Sequence, residues 1–89
     1  MKAHTKYTNT QYEFAITDGT ETVFTMWMLR RNPSRSALYR LLAANLDQIR
    51  RQTQTKDIVW NGDGTITAGK YTGRMTGRTL LEARGYSQS

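Results

Sequence analysis

The alternation of apolar and polar residues predicts two strands near the start of the chain. Residues 12–17 alternate in this way, and the turn-forming sequence Asp-Gly-Thr follows at 18–20. The next segment, 21–29, is rich in β-branched and aromatic residues, which pack well on a pleated sheet. Together these segments predict a β-hairpin. Its second strand has apolar side chains on both faces, which is typical of a central strand or of one covered by a partner.

A helical period predicts one long helix after Pro33. Proline is favoured in the first turn of a helix, and Asn32 or Ser34 offers a side-chain oxygen to a free backbone N–H. We expect this helix to run from about Ser34 to Gln52. At about 100° per residue, five apolar side chains share an arc of roughly 140°. They form the predicted core stripe of the helix: Leu38, Leu41, Leu42, Leu46 and Ile49.

A second hairpin is predicted after this helix. The sequence Asn-Gly-Asp-Gly at 61–64 separates the apolar runs 57–60 and 65–68. Asn-Gly and Asp-Gly are strong hairpin signals, because both dipeptides adopt the positive φ angles that tight turns need.

The glycine-rich segment 69–78 is predicted to be a flexible connector, with a backbone nest that binds anions as the alternative. Thr79 and Glu82 then have the spacing of a capping box, and Gly85 offers a helix end. This spacing predicts a short second helix.

The order of these elements predicts an α+β fold. Its simplest form is a small two-layer sandwich, in which an antiparallel sheet from two hairpins (ββαββ, with a short C-terminal helix) packs on one long helix. A chain of 89 residues has room for one modest core. We therefore expect a single domain over 1–89, with loose termini at 1–8 and 86–89. The order of the hairpins within the sheet does not follow from the pattern.

Positive charge is concentrated in the middle of the chain. Seven of the 13 Lys and Arg residues lie between residues 30 and 56, and Asp47 is the only acid among them. The net charge of this stretch is therefore +6, the same as that of the whole chain. Nucleic acid, DNA or RNA, is the commonest polyanionic partner of such a field. Two groups of phosphate contacts are predicted: Arg30, Arg31, Arg35 and Arg40 around the helix start, and Lys70, Arg74 and Arg78 in the glycine-rich segment.

Three of these arginines stand where a helix disfavours positive charge. A cation at a helix N-terminus costs about 0.3–1 kcal/mol, so Arg30, Arg31 and Arg35 are expected to have another role. The alternative is an ordinary solvated helix face, on which Asp47 pairs with Arg51 four residues later.

The aromatic residues divide into two predicted groups. Unpaired bases stack on aromatic rings, and the tyrosines are the rings most available for this: Tyr7, Tyr12, Tyr39, Tyr71 and Tyr86. The remaining aromatic residues are predicted to lie in the core: Phe14, Phe24, Trp27 and Trp60.

An apolar interface is the alternative to nucleic-acid binding. Phe24, Met26 and Met28 share one face of the second strand, and methionine adapts to irregular contacts. Asn45 falls within the apolar stripe of the helix. A buried amide there either bonds to a loop carbonyl or fixes the register of an oligomer. These four residues predict a homodimer, or an adaptor or inhibitor that binds another protein.

Candidate catalytic and metal chemistry is sparse. The chain has no cysteine, so it has neither disulfides nor a thiolate zinc site, and a cytoplasmic location is expected. His4 is the only histidine and the seven carboxylates are scattered, so we expect no enzyme activity, metal, cofactor or small-molecule substrate. No apolar run predicts export or membrane insertion. The small basic chain resembles accessory proteins of phages and plasmids, a resemblance that carries no motif and implies no site residues.

Overall fold

The computed structural model describes residues 11–85, and the predicted loose termini lie outside this range. Within these residues the chain is an α+β fold with one five-stranded antiparallel sheet and three helices. In chain order the elements are β1 (Tyr12–Thr17), β2 (Thr22–Met28), α1 (Arg35–Ala44), α2 (Leu46–Thr53), β3 (Ile58–Trp60), β4 (Ile66–Ala68), β5 (Tyr71–Thr79) and α3 (Leu80–Ala83).

Both predicted hairpins are present, and a fifth strand joins them. The strand order is β2-β1-β5-β4-β3. In the first hairpin Phe14 lies opposite Met26, and β3 pairs with β4 in the second. Strand β5 is antiparallel to both neighbours, with Gly73 opposite Ile16 on one side and Ile66 on the other. The predicted ββαββ order therefore omitted β5, the strand at the centre of the observed sheet.

The prediction of a flexible connector at 69–78 is wrong. The segment pairs with β4 from Tyr71 to Gly73 and with β1 from Thr72, so most of its backbone belongs to the sheet. Residues 76–78 form a bulge in this pairing, and the anion-binding nest stays a prediction there. A Cβ on Gly73 would lie 2.7 Å from Phe14 Cε1 and 2.8 Å from Ile66 Cγ1. The glycine is needed for close packing rather than for chain flexibility.

Strand β2 lies at the edge of the sheet, so the central position, one of the two alternatives predicted for it, is wrong. Met26 is 4% exposed and belongs to the core, while Phe24 and Met28 are partly buried against it. The face proposed as an interface therefore packs on this chain's own core. The prediction of a central position for β2 failed because the sequence pattern did not reveal strand β5, which takes the centre of the sheet.

The single long helix that we predicted is divided at Asn45. Helix α1 begins after Ser34, whose hydroxyl accepts a hydrogen bond from the Ala37 N–H at 3.1 Å. At Asn45 the backbone has φ −111° and ψ 15°, outside the helical region, and α2 follows. The Asn45 side-chain amide donates to the Leu41 carbonyl at 2.8 Å. Its partner is thus the preceding helical turn, rather than the loop carbonyl or the second copy considered from the sequence.

The apolar stripe of the helices packs over one face of the sheet, as predicted. Leu38, Leu42 and Ile49 are buried, and Leu41 is partly buried against the same cluster. The buried core cluster joins these helices to strands β1, β2 and β4: Phe14, Ile16, Met26, Leu38, Leu42, Ile49 and Ile66.

The predicted capping box forms at the start of α3. The Thr79 hydroxyl accepts from the Glu82 N–H at 3.1 Å, and the Glu82 carboxylate accepts from the Thr79 N–H at 2.9 Å. The Leu80 N–H also donates to the Gln11 carbonyl at 2.9 Å. The short helix is therefore fixed beside the start of β1.

Candidate nucleic-acid interface

The sheet face opposite the helices carries a buried carboxylate. Side chains alternate along a strand, so Glu13 points away from the core residue Phe14. In β1 and β5, Tyr12 pairs with Thr79 and Phe14 with Met75, so the bulged residues 76–78 lie opposite Glu13. The Glu13 side chain is 4% exposed. This position places it within reach of side chains from the bulge.

Two residues of this bulge hold Glu13. The Thr76 hydroxyl donates to Glu13 Oε1 at 2.7 Å, and Arg78 Nη2 donates to Oε2 at 2.7 Å. Burial raises the pKa of Glu13, but the hydrogen bonds from Arg78 and Thr76 and the guanidinium charge outweigh it and leave the pKa below its ordinary value of 4.5. The charge of Arg78 is thus compensated by a carboxylate from β1.

We expect Glu13→Gln to lower the free energy of unfolding at neutral pH by about 1–2 kcal/mol, since it removes charge-assisted hydrogen bonds of which one partner is half exposed. A carboxyl with a lowered pKa in the folded state stabilises the fold above its ordinary pKa of 4.5, and this contribution is lost as the pH falls. The variant should therefore lose less stability than the wild type between neutral pH and about pH 3.

Urea unfolding at several pH values measures this difference. Asp57→Asn is the matched control, because Asp57 is exposed and its side chain has no hydrogen-bond partner among residues 11–85. Equal acid dependence of the wild type and Glu13→Gln would show that the Glu13 carboxylate does not stabilise the fold.

The second predicted group of phosphate contacts is spread along β5. Lys70 lies in the turn before the strand, with its Nζ 5.4 Å from the centre of the Tyr71 ring. Arg74 pairs with Ala15 and lines a depression together with Arg31, Pro33 and Leu38 at the start of α1. Lys70 and Arg78 are eight residues apart, or roughly 25 Å along a strand. With Arg78 bound to Glu13, these three residues do not form one compact basic patch.

The first predicted group lies around the start of α1, and two of its members have structural partners. The Arg31 guanidinium carbon lies 5.2 Å from the centre of the Tyr12 ring. Arg35 Nη2 donates to the Gly62 carbonyl at 3.0 Å in the turn between β3 and β4. These contacts give Arg31 and Arg35 a structural reason to stand near the positive end of the helix dipole.

Arg30 and Arg40 are exposed, and their side chains have no hydrogen-bond or ion-pair partner within the described part of the chain. They line one depression on the helix side of the molecule. Arg40 also lines a neighbouring depression together with Arg35, Tyr39 and Trp60. The two depressions are therefore neighbours, with Arg40 at the border between them.

A third depression extends the same surface. It has a volume of about 210 Å³ and lies between the helices and strands β3 and β4, with Arg50 and Lys56 among its lining residues. Tyr39 and Trp60 line both this depression and the previous one. Five basic residues therefore line three neighbouring depressions, which together we call the helix-side basic surface: Arg30, Arg35, Arg40, Arg50 and Lys56.

The third depression is an aromatic cleft with an apolar base, and we call it the Tyr39–Trp60 cleft. The two rings are edge to face, with centroids 6.3 Å apart and an interplanar angle of 77°. Tyr39 is 63% exposed. The other apolar lining residues are Leu42, Ala43, Leu46, Ile58 and Ile66. The cleft thus joins apolar surface and positive charge, and none of its lining residues is acidic.

Two residues of this region were missed from the sequence, and a third has a further position. Trp60 was predicted to lie in the core, and it packs against the core while also lining the cleft. Arg50 and Lys56 were outside the predicted contact groups. Tyr39 and Ala43 are four residues apart and therefore share one face of α1 beside the apolar stripe, which was the available sequence signal for the cleft. The contact of Tyr39 with Trp60 of β3 depends on tertiary structure and did not follow from the sequence.

The remaining candidates from the sequence are the other tyrosines, His4 and the Asp47–Arg51 pair. Tyr12 and Tyr71 each hold a cation over their rings, and Tyr7, Tyr86 and His4 lie outside the described residues. Among residues 11–85, the Glu13–Arg78 pair is the one salt bridge, so the predicted Asp47–Arg51 pair does not form.

Two further observations concern the described residues alone. In this part of the chain, no three His, Asp or Glu side chains are grouped closely enough to hold a metal ion. None of its helices has the length and apolar character that crossing a bilayer requires.

Comparison with known protein families, with curated proteins and with solved structures gave no match to this chain. The chemistry of the surface is therefore the basis for the function proposed below.

Proposed function

We propose that this protein is a small non-enzymatic nucleic-acid-binding module that contacts phosphate groups through the helix-side basic surface. The observation that supports this function is that five basic side chains line neighbouring depressions and form no salt bridge within residues 11–85. The seven acidic residues of the chain all fall within this range, and one of them, Glu13, is bound to Arg78 on the other side of the sheet.

Electrostatics supplies the mechanism. Exposed cations that have no carboxylate partner attract a polyanion, and each phosphate contact releases condensed counterions from the nucleic acid. If all five side chains contact phosphate, the logarithm of the binding constant should fall with the logarithm of salt concentration with a slope of about −4.5 for a duplex or about −3.5 for a single strand. This binding is independent of base sequence, because phosphate contacts carry no sequence information.

Titration of fluorescently labelled DNA and RNA between about 50 and 200 mM salt tests the proposal. We expect tight binding at the lower concentration and a steep loss at the higher one. The Arg40→Ala variant should reduce the slope by about one, whereas Arg84→Ala, exposed at the end of α3 and outside these depressions, should leave it unchanged. A wild-type protein that binds neither DNA nor RNA at about 50 mM salt would exclude this function.

We also propose a cytoplasmic location, which the absence of cysteine from the chain supports.

Self-association is a second candidate function, supported by the position of β2. This strand has seven residues, and one of its edges pairs with no strand among residues 11–85. Leu29, directly after it, is 73% exposed. Edge strands bind other strands through backbone hydrogen bonds, so two copies would join their sheets at β2. Sedimentation equilibrium measures the mass in solution. A dimer would support this pairing, and a monomer throughout the concentration range would exclude it.

A further inference from the structure

We propose that the Tyr39–Trp60 cleft holds one unpaired base of a single-stranded nucleic acid, while the basic residues beside it contact the adjacent phosphates. This inference rests on the proposed function and adds a substrate class to it, because bases within a duplex are stacked and paired and do not enter such a cleft.

The size of the cleft suits a single ring system. Its volume of about 210 Å³ is below the range of about 300–1,000 Å³ that is typical of drug-sized ligands. Leu42 and Ile66, which line it, are 6% and 1% exposed, so the cleft reaches down to the core. An aromatic ring placed there leaves water for an apolar surface, which is favourable.

The aromatic pair offers a stacking surface. The rings of Tyr39 and Trp60 meet at 77°, so a third ring can lie against the face of one and meet the edge of the other. Tyr39 is the more accessible, with 63% of its surface exposed. Stacking of this kind is tolerant of base identity, because every base has a π-face. The cleft therefore selects for an unpaired state rather than for a particular sequence.

Positive charge lies on both sides of the aromatic pair. Arg50 and Lys56 line the cleft itself, and Arg35 and Arg40 line the neighbouring depression that shares Tyr39 and Trp60. A strand that crosses the pair would place successive phosphates against these two groups of cations, an arrangement that single-strand-binding proteins use. Because neither depression has an acidic lining residue, nothing there repels the backbone.

The test compares Tyr39→Ala with the matched control Tyr39→Phe. Oligothymidylate, oligouridylate and a duplex of equal length are titrated into the full chain at about 50 mM salt. Loss of the ring should weaken single-strand binding by about 10-fold, within the range measured for base-stacking residues, and leave duplex binding unchanged. Tyr39→Phe should retain single-strand affinity. Weaker binding of Tyr39→Ala than of Tyr39→Phe to either oligonucleotide supports the inference.

A second measurement uses the fluorescence of Trp60. In a Trp27→Phe background Trp60 is the only tryptophan, and oligothymidylate should quench its emission if a base lies against the cleft. Thermal unfolding of each variant confirms that it is folded. Unchanged affinity of Tyr39→Ala with no quenching, while salt-dependent binding persists, would overturn the inference and leave the proposed function in place. Failure of the wild type to bind any probe would overturn both.

Discussion

Reversing the charge of Arg40 and Arg50 together should weaken nucleic-acid binding by about 100-fold or more at about 50 mM salt. A hydrogen bond to a charged group contributes about 1.5–3 kcal/mol, so losing two contacts costs at least about 3 kcal/mol. Since 1.4 kcal/mol corresponds to a tenfold change in affinity, the loss is about 100-fold before repulsion from the new carboxylates is added. The slope of binding against salt should also become shallower by roughly 1.4–1.8.

The fold should be unaffected by these two substitutions. Arg40 and Arg50 are exposed and form no salt bridge among the described residues, so their replacement should change stability by no more than about 0.5 kcal/mol. The matched control is Lys70→Glu with Arg84→Glu, which makes the same change in net charge at two exposed residues outside the helix-side basic surface. Equal loss of binding in both double variants would show that net charge, rather than this surface, controls the interaction.

Adding one methyl group at Gly73 should destabilise the fold by about 1–3 kcal/mol, the usual cost of overpacking a core. The alanine Cβ would meet Phe14 Cε1 at 2.7 Å, Ile66 Cγ1 at 2.8 Å and Ile16 Cγ1 at 3.1 Å. Phe14, Ile16 and Ile66 are each at most 1% exposed, so their side chains have little room to move. Thermal unfolding should show a drop in Tm of roughly 4–8 °C for each kcal/mol lost.

Thr72→Ala serves as the control for this variant. Thr72 is the neighbouring residue in β5 but is exposed, so its replacement should change stability by no more than about 0.5 kcal/mol. If Gly73→Ala were as stable as Thr72→Ala, the close packing of β5 between β1 and β4 would be contradicted.

Features that depend on local sequence were predicted well. Both hairpins followed from alternation and turn residues, and the Ser34 cap and the Thr79–Glu82 capping box formed as their spacing indicated. The position of β5 depends on packing between distant segments. Glycine in a loop and glycine between large core side chains look alike in one sequence, so the role of Gly73 needed the positions of Phe14 and Ile66.

The candidate site was predicted in part for the same reason. Charge density along the chain indicated Arg30, Arg35 and Arg40, which lie on the helix-side basic surface. Which arginines have partners depends on contacts far apart in sequence. Arg78 binds Glu13 across 65 positions, and Arg35 reaches Gly62 across 27. The pairing of Tyr39 with Trp60 likewise arises only when β3 lies beside α1.

The most direct test of the central claim is to map the binding site by nuclear magnetic resonance while oligothymidylate is titrated into the full chain. The helix-side basic surface predicts that amide shifts will change around Arg30, along α1, near Arg50 and Lys56, and at Trp60. Changes centred on Glu13, Ala15 and Arg78 would place the nucleic acid on the opposite face of the sheet and contradict the account.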